Sequence, residues 1–306
     1  MRVSTAQMQD RAVTAMLDRQ ADISKTQVQL ATGKRILAAS DDVYGTTQAL
    51  AIKQVIATHE QYQVNSNILE NRLQQEETTL THVTDVLQRA RELSIQAQNT
   101  IYSASDRANL AFEVRGLLDE SLALANSVDS DGEYIFAGFN VDTAPFVAVE
   151  NPVGSGLYDY NYTGDLGQRR IQVGASRQIA TGDPGQDVFI DVPESGGGTR
   201  SIFETLEQLA IDLETNTPDP TVTDDLLLGI QHMAEYLAKV GGRLAANDNH
   251  RSLNADIILQ GNSTLSEVQD LDYAEAVSRM NLQMVGLEAS QQSFSRIQNL
   301  SLFNFL

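Results

Sequence analysis

The side chains of this 306-residue chain best suited to chemistry are four histidines and two short acidic or glycine-rich runs, and no thiol chemistry is available because cysteine is absent. His59-Glu60-Gln61-Tyr62-Gln63 starts like a helical zinc-protease motif, in which two histidines one turn apart bind the metal and the glutamate serves as base. Gln63 stands where the second histidine would be and is a poor zinc ligand, so His59 and Glu60 read as a surface pair on a helix. His82, His232 and His250 also fall in helical stretches without a neighbouring ligand cluster. Asp129-Ser130-Asp131-Gly132-Glu133 begins like a calcium loop but lacks the third ligand and a glutamate at the proper distance, which leaves a helix-ending turn. Gly154-Ser155-Gly156 is followed by Leu-Tyr-Asp, without the lysine or helix that a phosphate loop requires. No catalytic residue, cofactor site or metal site is expected, and the chain reads as a non-enzyme.

The informative pattern is instead the spacing of apolar residues. Val13, Met16, Gln20, Ile23, Gln27 and Leu30 alternate steps of three and four, a heptad seam with two polar interruptions. Gly33 is placed to stop this helix, and Ser40-Asp41-Asp42 supplies caps for the next. A second seam runs through Leu69, Leu73, Glu76, Leu80, Val83, Leu87, Ala90, Ser94 and Ala97, with neither Gly nor Pro between Thr46 and Thr100. One helix of about 55 residues, roughly 80 Å long, is predicted. Ser103 and Asp106 form a capping pair for a third helix reaching Val128.

From Asp129 the pattern changes to short apolar runs between turns. Tyr158, Tyr160 and Tyr162 alternate, as do Ile171 and Val173, then Val188, Ile190 and Val192, so each set predicts a strand. A short helix over Ile202 to Leu213 ends near Pro218 and Pro220, and a long one begins near Asp224 and reaches Leu271 with an irregularity at Gly261. Val277, Met280, Met284, Leu287, Gln291, Phe294 and Gln298 then repeat the style of the N-terminus. The expected fold is mainly α with an inserted small β domain (α+β): an elongated rod of long antiparallel helices whose N- and C-terminal helices pair like a coiled coil at one end. Expected domains are terminal assembly helices (1–45 and 272–306), a helical rod (46–128 and 200–271) and a small acidic β-rich outer domain (129–199). Residues 1–32 and 277–306 are rich in Gln and Ser and bury little apolar area by pairing only with each other, so order in the free ends is expected to come from assembly.

Charge supports the same division. The net charge is -20; residues 1–128 carry 12 basic and 15 acidic side chains, residues 129–235 carry 4 and 19, and residues 236–306 carry 5 and 7. The acidic middle disfavours nucleic acid and anionic membrane, while the near-neutral ends can pack closely. The start MRVSTAQMQDRAV lacks a signal-peptide core, and no run approaches the ~20 apolar residues of a membrane span.

Two segments carry a resemblance. Leu30-Ala-Thr-Gly-Lys-Arg-Ile-Leu-Ala-Ala-Ser-Asp-Asp42 is similar to the signature turn of bacterial flagellins, and Leu87-Gln-Arg-Ala-Arg-Glu-Leu-Ser-Ile-Gln-Ala-Gln-Asn99 to a flagellin core-helix motif. The chain thus resembles the flagellin family over both helical ends and parts of the middle. Gly132-Glu-Tyr-Ile-Phe-Ala-Gly138, Tyr162-Thr-Gly-Asp-Leu-Gly-Gln-Arg169, Asp270-Leu-Asp-Tyr-Ala-Glu-Ala276 and the close from Gln291 to Leu306 are similar to members found where hook meets filament. Val43 departs from the Pro that often follows the Asp-Asp pair, and Phe305 from the usual Tyr.

The resemblance implies a homo-oligomeric ring between hook-associated protein 1 and the first flagellin layer. It further implies extracellular delivery through the flagellar type III channel without a cleaved signal peptide, and a cytoplasmic export chaperone on the C-terminal helix. The residues expected at the assembly interface are Val13, Met16, Ile23 and Leu30 against Val277, Met284, Leu287, Phe294 and Leu302, with Arg89 and Glu92 on an intersubunit face of the rod. The alternative within the family is a filament-forming flagellin. A carbohydrate-binding or hydrolytic β module would need convergent carboxylates and aromatics that the spacing does not show.

Overall fold

A computed structural model describes residues 5–152 and 156–299. The chain divides into a terminal unit, Met1–Thr58 with Asp256–Leu306, and a central unit, His59–Ala255. The expected class holds: six α-helices and three two-stranded antiparallel sheets are found among the described residues. The helices are α1 (Thr5–Thr32), α2 (Val43–Ala97), α3 (Ala104–Ala125), α4 (Ile202–Glu214), α5 (Pro220–Gln269) and α6 (Tyr273–Asn299). The strands are β1 (Phe146–Glu150), β2 (Tyr158–Tyr162), β3 (Arg170–Gly174), β4 (Arg177–Ala180), β5 (Val192–Pro193) and β6 (Thr199–Arg200), paired β1–β2, β3–β4 and β5–β6.

In the terminal unit α1 ends at Thr32 because Gly33 adopts φ +68, a left-handed conformation suited to glycine. Asp42 opens α2, its Oδ1 accepting the Gly45 N–H at 2.8 Å. The α2 segment meets α5 at Gly261, where a Cβ would stand 2.8 Å from Ile56 Cγ1. The irregularity expected there is absent: α5 stays helical through Gly261, and the missing side chain lets the two helices approach closely.

In the central unit α2 and α5 run antiparallel, as their cross-helix pairs show: the Asn247 amide donates to Ser66 O at 2.9 Å, and Ser94 meets Thr223 at 2.5 Å. Leu69, Leu73, Leu80, Val83, Leu87 and Ala90 of the expected seam are all buried. Ser103 and Asp106 form the expected capping box of α3, and Ser201 with Glu204 builds another on α4. Helix α5 begins four residues earlier than expected, at Pro220, because proline is tolerated at a first helical position and Asp219 Oδ1 accepts the Thr221 N–H.

The tyrosine alternation forms β2, paired with β1 from Phe146↔Tyr162 to Glu150↔Tyr158. The strand expected over Val188, Ile190 and Val192 is mostly a π-helical turn, Gln186–Ile190, with only Val192–Pro193 extended. A strand would send the adjacent Val188 and Phe189 to opposite faces. The wound turn buries both, and Phe189 packs edge-on against Phe136 (centroids 4.9 Å apart) and Phe146 (5.3 Å). Phe203, stacked 6.0 Å from Phe189, ties this cluster to α4.

Candidate assembly interface

The flagellin-like turn is a clasp. Its backbone joins the end of α1 to the link between α5 and α6: Arg35 N donates to Gln269 O at 2.8 Å and Leu271 N to Gly33 O at 2.9 Å. Arg35 also donates to Val268 O at 2.9 Å and Asp42 Oδ2 at 3.1 Å, so one guanidinium holds both sides of the turn. Lys25 reaches Asp41 at 2.7 Å, while the other oxygen of Asp41 accepts the Leu37 and Ala38 N–H groups. Lys25 and those amides hold the Asp41 carboxyl below its ordinary range, and the Gly45 amide followed by Arg35 does the same for Asp42.

Beyond the clasp α1 and α6 pack antiparallel. Thr26 Oγ1 lies 3.0 Å from Gln283 Oε1, and Arg279 donates to Gln29 Oε1 at 3.1 Å. Gln29 returns its amide to Arg35 O at 2.7 Å, which links the helix pair to the clasp. Ile23, Thr26 and Gln29 are buried on α1, as is Ala276 on α6. Among the expected interface residues the structure brings Ile23 inward, leaves Met16, Leu30, Leu287 and Phe294 half-buried, and exposes Val13, Val277 and Met284 by 40 to 44%. Leu302 lies outside the described residues. Thr26 and Gln29, buried through hydrogen bonds rather than apolar character, were invisible to a search for an apolar seam. The exposed side of the pair is apolar too: Leu17, Leu282 and Val285 are each at least 60% exposed.

Arg89 is held within the chain, 2.7 Å from Glu113 on α3 and 3.1 Å from Glu92. These pairs are exposed and screened by water, so Arg89 and Glu92 remain on the outer face of the central unit. The acidic run after α3 also serves structure: Asp129 meets Arg72 at 2.9 Å, and Glu133 is shared by Arg72 and Arg169, whose hydrogen bonds hold its carboxyl below the ordinary range. His59 Nδ1 donates to Asn254 Oδ1 at 2.8 Å, and Gln63 donates to Arg251 O at 2.7 Å, so the zinc-like fragment is spent on helix packing. Among the described residues no His, Asp and Glu group could hold a metal, and no helix is long and apolar enough to cross a membrane.

Residues 3–141 match the bacterial flagellin N-terminal helical region. The flagellar hook-associated protein 3 of Escherichia coli (strain K12) is 29% identical over 322 residues, which span 99% of each chain. The chain is thus similar to the flagellin family over its N-terminal helical region and to a hook-associated protein along its whole length. Two solved structures share the fold of this chain: flagellar hook-associated protein 3 from Legionella pneumophila (TM-score 0.65, 21% identity, 71% of this chain and 98% of that one) and the flagellar junction protein FlgL from the same organism (TM-score 0.63, 20% identity, 73% and 100%). The homologues of this chain are structural flagellar proteins.

Proposed function

We propose that this chain is the structural subunit of a ring joining hook to filament, held by helix packing to copies of itself, to hook-associated protein 1 and to flagellin. The observation that carries the reading is the similarity to hook-associated protein 3 along the whole length of both chains. The apolar outer side of the α1–α6 pair supports it, since Leu17, Leu282 and Val285 face water in a single chain. In this reading residues 1–45 and 272–306 are the assembly helices, which gain their order when copies pack; 46–128 and 200–271 form the rod; and 129–199 form the acidic outer domain. Val13, Val277, Met284 and Leu302 then meet neighbouring subunits, while Ile23, Leu30, Leu287 and Phe294 hold the pair together. The chain leaves the cell unfolded through the flagellar export channel without a cleaved signal peptide, its C-terminal helix held beforehand by a chaperone. Deletion of the gene in the native bacterium tests the reading: complete hooks with flagellin lost to the medium are expected, and filaments of normal length would overturn it. The match over residues 3–141 also suits a filament-forming flagellin, which self-polymerisation of the purified chain into long filaments would favour.

A further inference from the structure

The central unit carries one patch of charge opposite to its surroundings. Residues 129–235 hold four basic side chains against nineteen acidic ones, yet Arg169, Arg170 and Arg177 all sit on or beside the β3–β4 hairpin. Arg169 is committed to Glu133 at 2.6 Å. Arg170 and Arg177 are exposed and have no ion-pair partner among the described residues. They line a groove of about 390 Å³ between the hairpin and α5, whose other cations are occupied: Arg243 by Asp183 at 2.7 Å and Lys239 by Glu235 at 2.9 Å. Two guanidinium groups are left unpaired in a chain with twice as many acids as bases.

A cleft of about 320 Å³ between α3 and the β1–β2 sheet has the complementary chemistry. Tyr158, Tyr160 and Asp119 line it, and its own cation, Arg115, is taken by a two-pronged hydrogen bond to Glu214 at 2.7 and 2.9 Å. Glu207 accepts the Tyr158 N–H at 3.1 Å and lies in the field of Asp159 and Glu204, both exposed. Tyrosine faces beside carboxylates are a receptor for a guanidinium, which stacks on the ring and donates in its plane.

The two surfaces are too far apart to meet within one chain. The hairpin rests on α2 at Asn65, which donates to Gln172 O at 2.7 Å, whereas α3 is tied to α2 at Arg89. Helix α3 runs antiparallel to α2, with Glu113 beside Arg89 and Val128 O at Gln75, so the cleft at Asp119 stands about 18 residues of α2 from Asn65, roughly 27 Å. We propose that Arg170 and Arg177 dock into the tyrosine- and carboxylate-lined cleft of a second copy of this chain. The contact is head-to-tail, between different patches on the two copies. It rests on the ring-type assembly proposed above. A free polyanion is disfavoured, because the acids around the groove repel it, whereas a copy already held by the terminal helices is presented at high effective concentration.

The absence of native cysteine makes a clean test. Ser176→Cys with Leu122→Cys places thiols at the hairpin tip and in the cleft, much farther apart within one chain than the ~7 Å Cα separation that a disulfide tolerates, and keeps the Asp119 carboxylate. Oxidation of flagella containing this full-length variant is expected to give a ladder of crosslinked chains. Adding R170E and R177E should cut the ladder about tenfold, as like charges then face each other, and adding D159R as well should restore part of it. Flagella that contain the chain but give no ladder, or a ladder indifferent to charge reversal, would overturn the contact while leaving the junction role intact. Absence of the chain from flagella would overturn both. Retention of dextran sulfate by the native chain, lost in R170E/R177E without change in crosslinking, would assign the groove to a polyanion and overturn the contact.

Discussion

Glu76 occupies a seam position between Leu73 and Leu80 and is fully buried, with Oε1 accepting the Asp183 N–H at 3.0 Å and Oε2 without a hydrogen-bond partner. Burial, followed by the field of Asp183, pushes its carboxyl up to about 8, against the smaller opposing pull of Arg243. Between the ordinary value of 4.5 and about 8 the folded chain binds a proton that the unfolded chain has released. Stability is therefore full below that window and is lost as pH rises through it. Glu76→Gln should remove this slope, gaining on the order of 3 kcal/mol over the native chain between pH 5 and 8, read from urea midpoints at each pH. A parallel pH dependence in the two proteins would contradict the protonated state. Phe189 gives an independent check on the core: Phe189→Ala empties the centre of the aromatic cluster and should cost about 3–5 kcal/mol by chemical denaturation.

Among the elements, α1 and α6 show how much a heptad can hide. The apolar spacing located both helices, but polar Thr26 and Gln29 supply much of the buried α1 surface through hydrogen bonds to α6 and to the clasp. Replacing Leu287 and Phe294 together with Asp should abolish incorporation into flagella while the far-ultraviolet and thermal signature of the central unit persists; normal incorporation would refute the role of this helix pair. Gly261→Val should weaken the α2–α5 contact by about 1–3 kcal/mol, measured by thermal denaturation, because a Cβ would collide with Ile56. The α3 capping box, the long α2 and the tyrosine strand were legible because local chemistry sets them: side-chain oxygens near orphan amides, an uninterrupted helical run and strict alternation. The π-helical turn at Gln186–Ile190 was not, since only the surrounding phenylalanines require Val188 and Phe189 to share a side. Nor was the clasp's wiring legible, because Arg35 meets Val268 across 233 residues of chain.

At the scale of the whole molecule, acidity is concentrated in the middle and nearly balanced at the ends, a distribution suited to copies that pack by their termini and repel elsewhere. The α1–α6 pair buries few large apolar groups, so circular dichroism of the free full-length chain should show little more helix than a version lacking residues 1–45 and 272–306; full helical content in the free ends would contradict folding upon assembly. The central claim, a junction subunit and not a filament subunit, is tested most directly by position. Electron microscopy of intact flagella labelled with gold-conjugated antibody to residues 129–199 should show a single band where hook meets filament, and label along the filament would contradict the account.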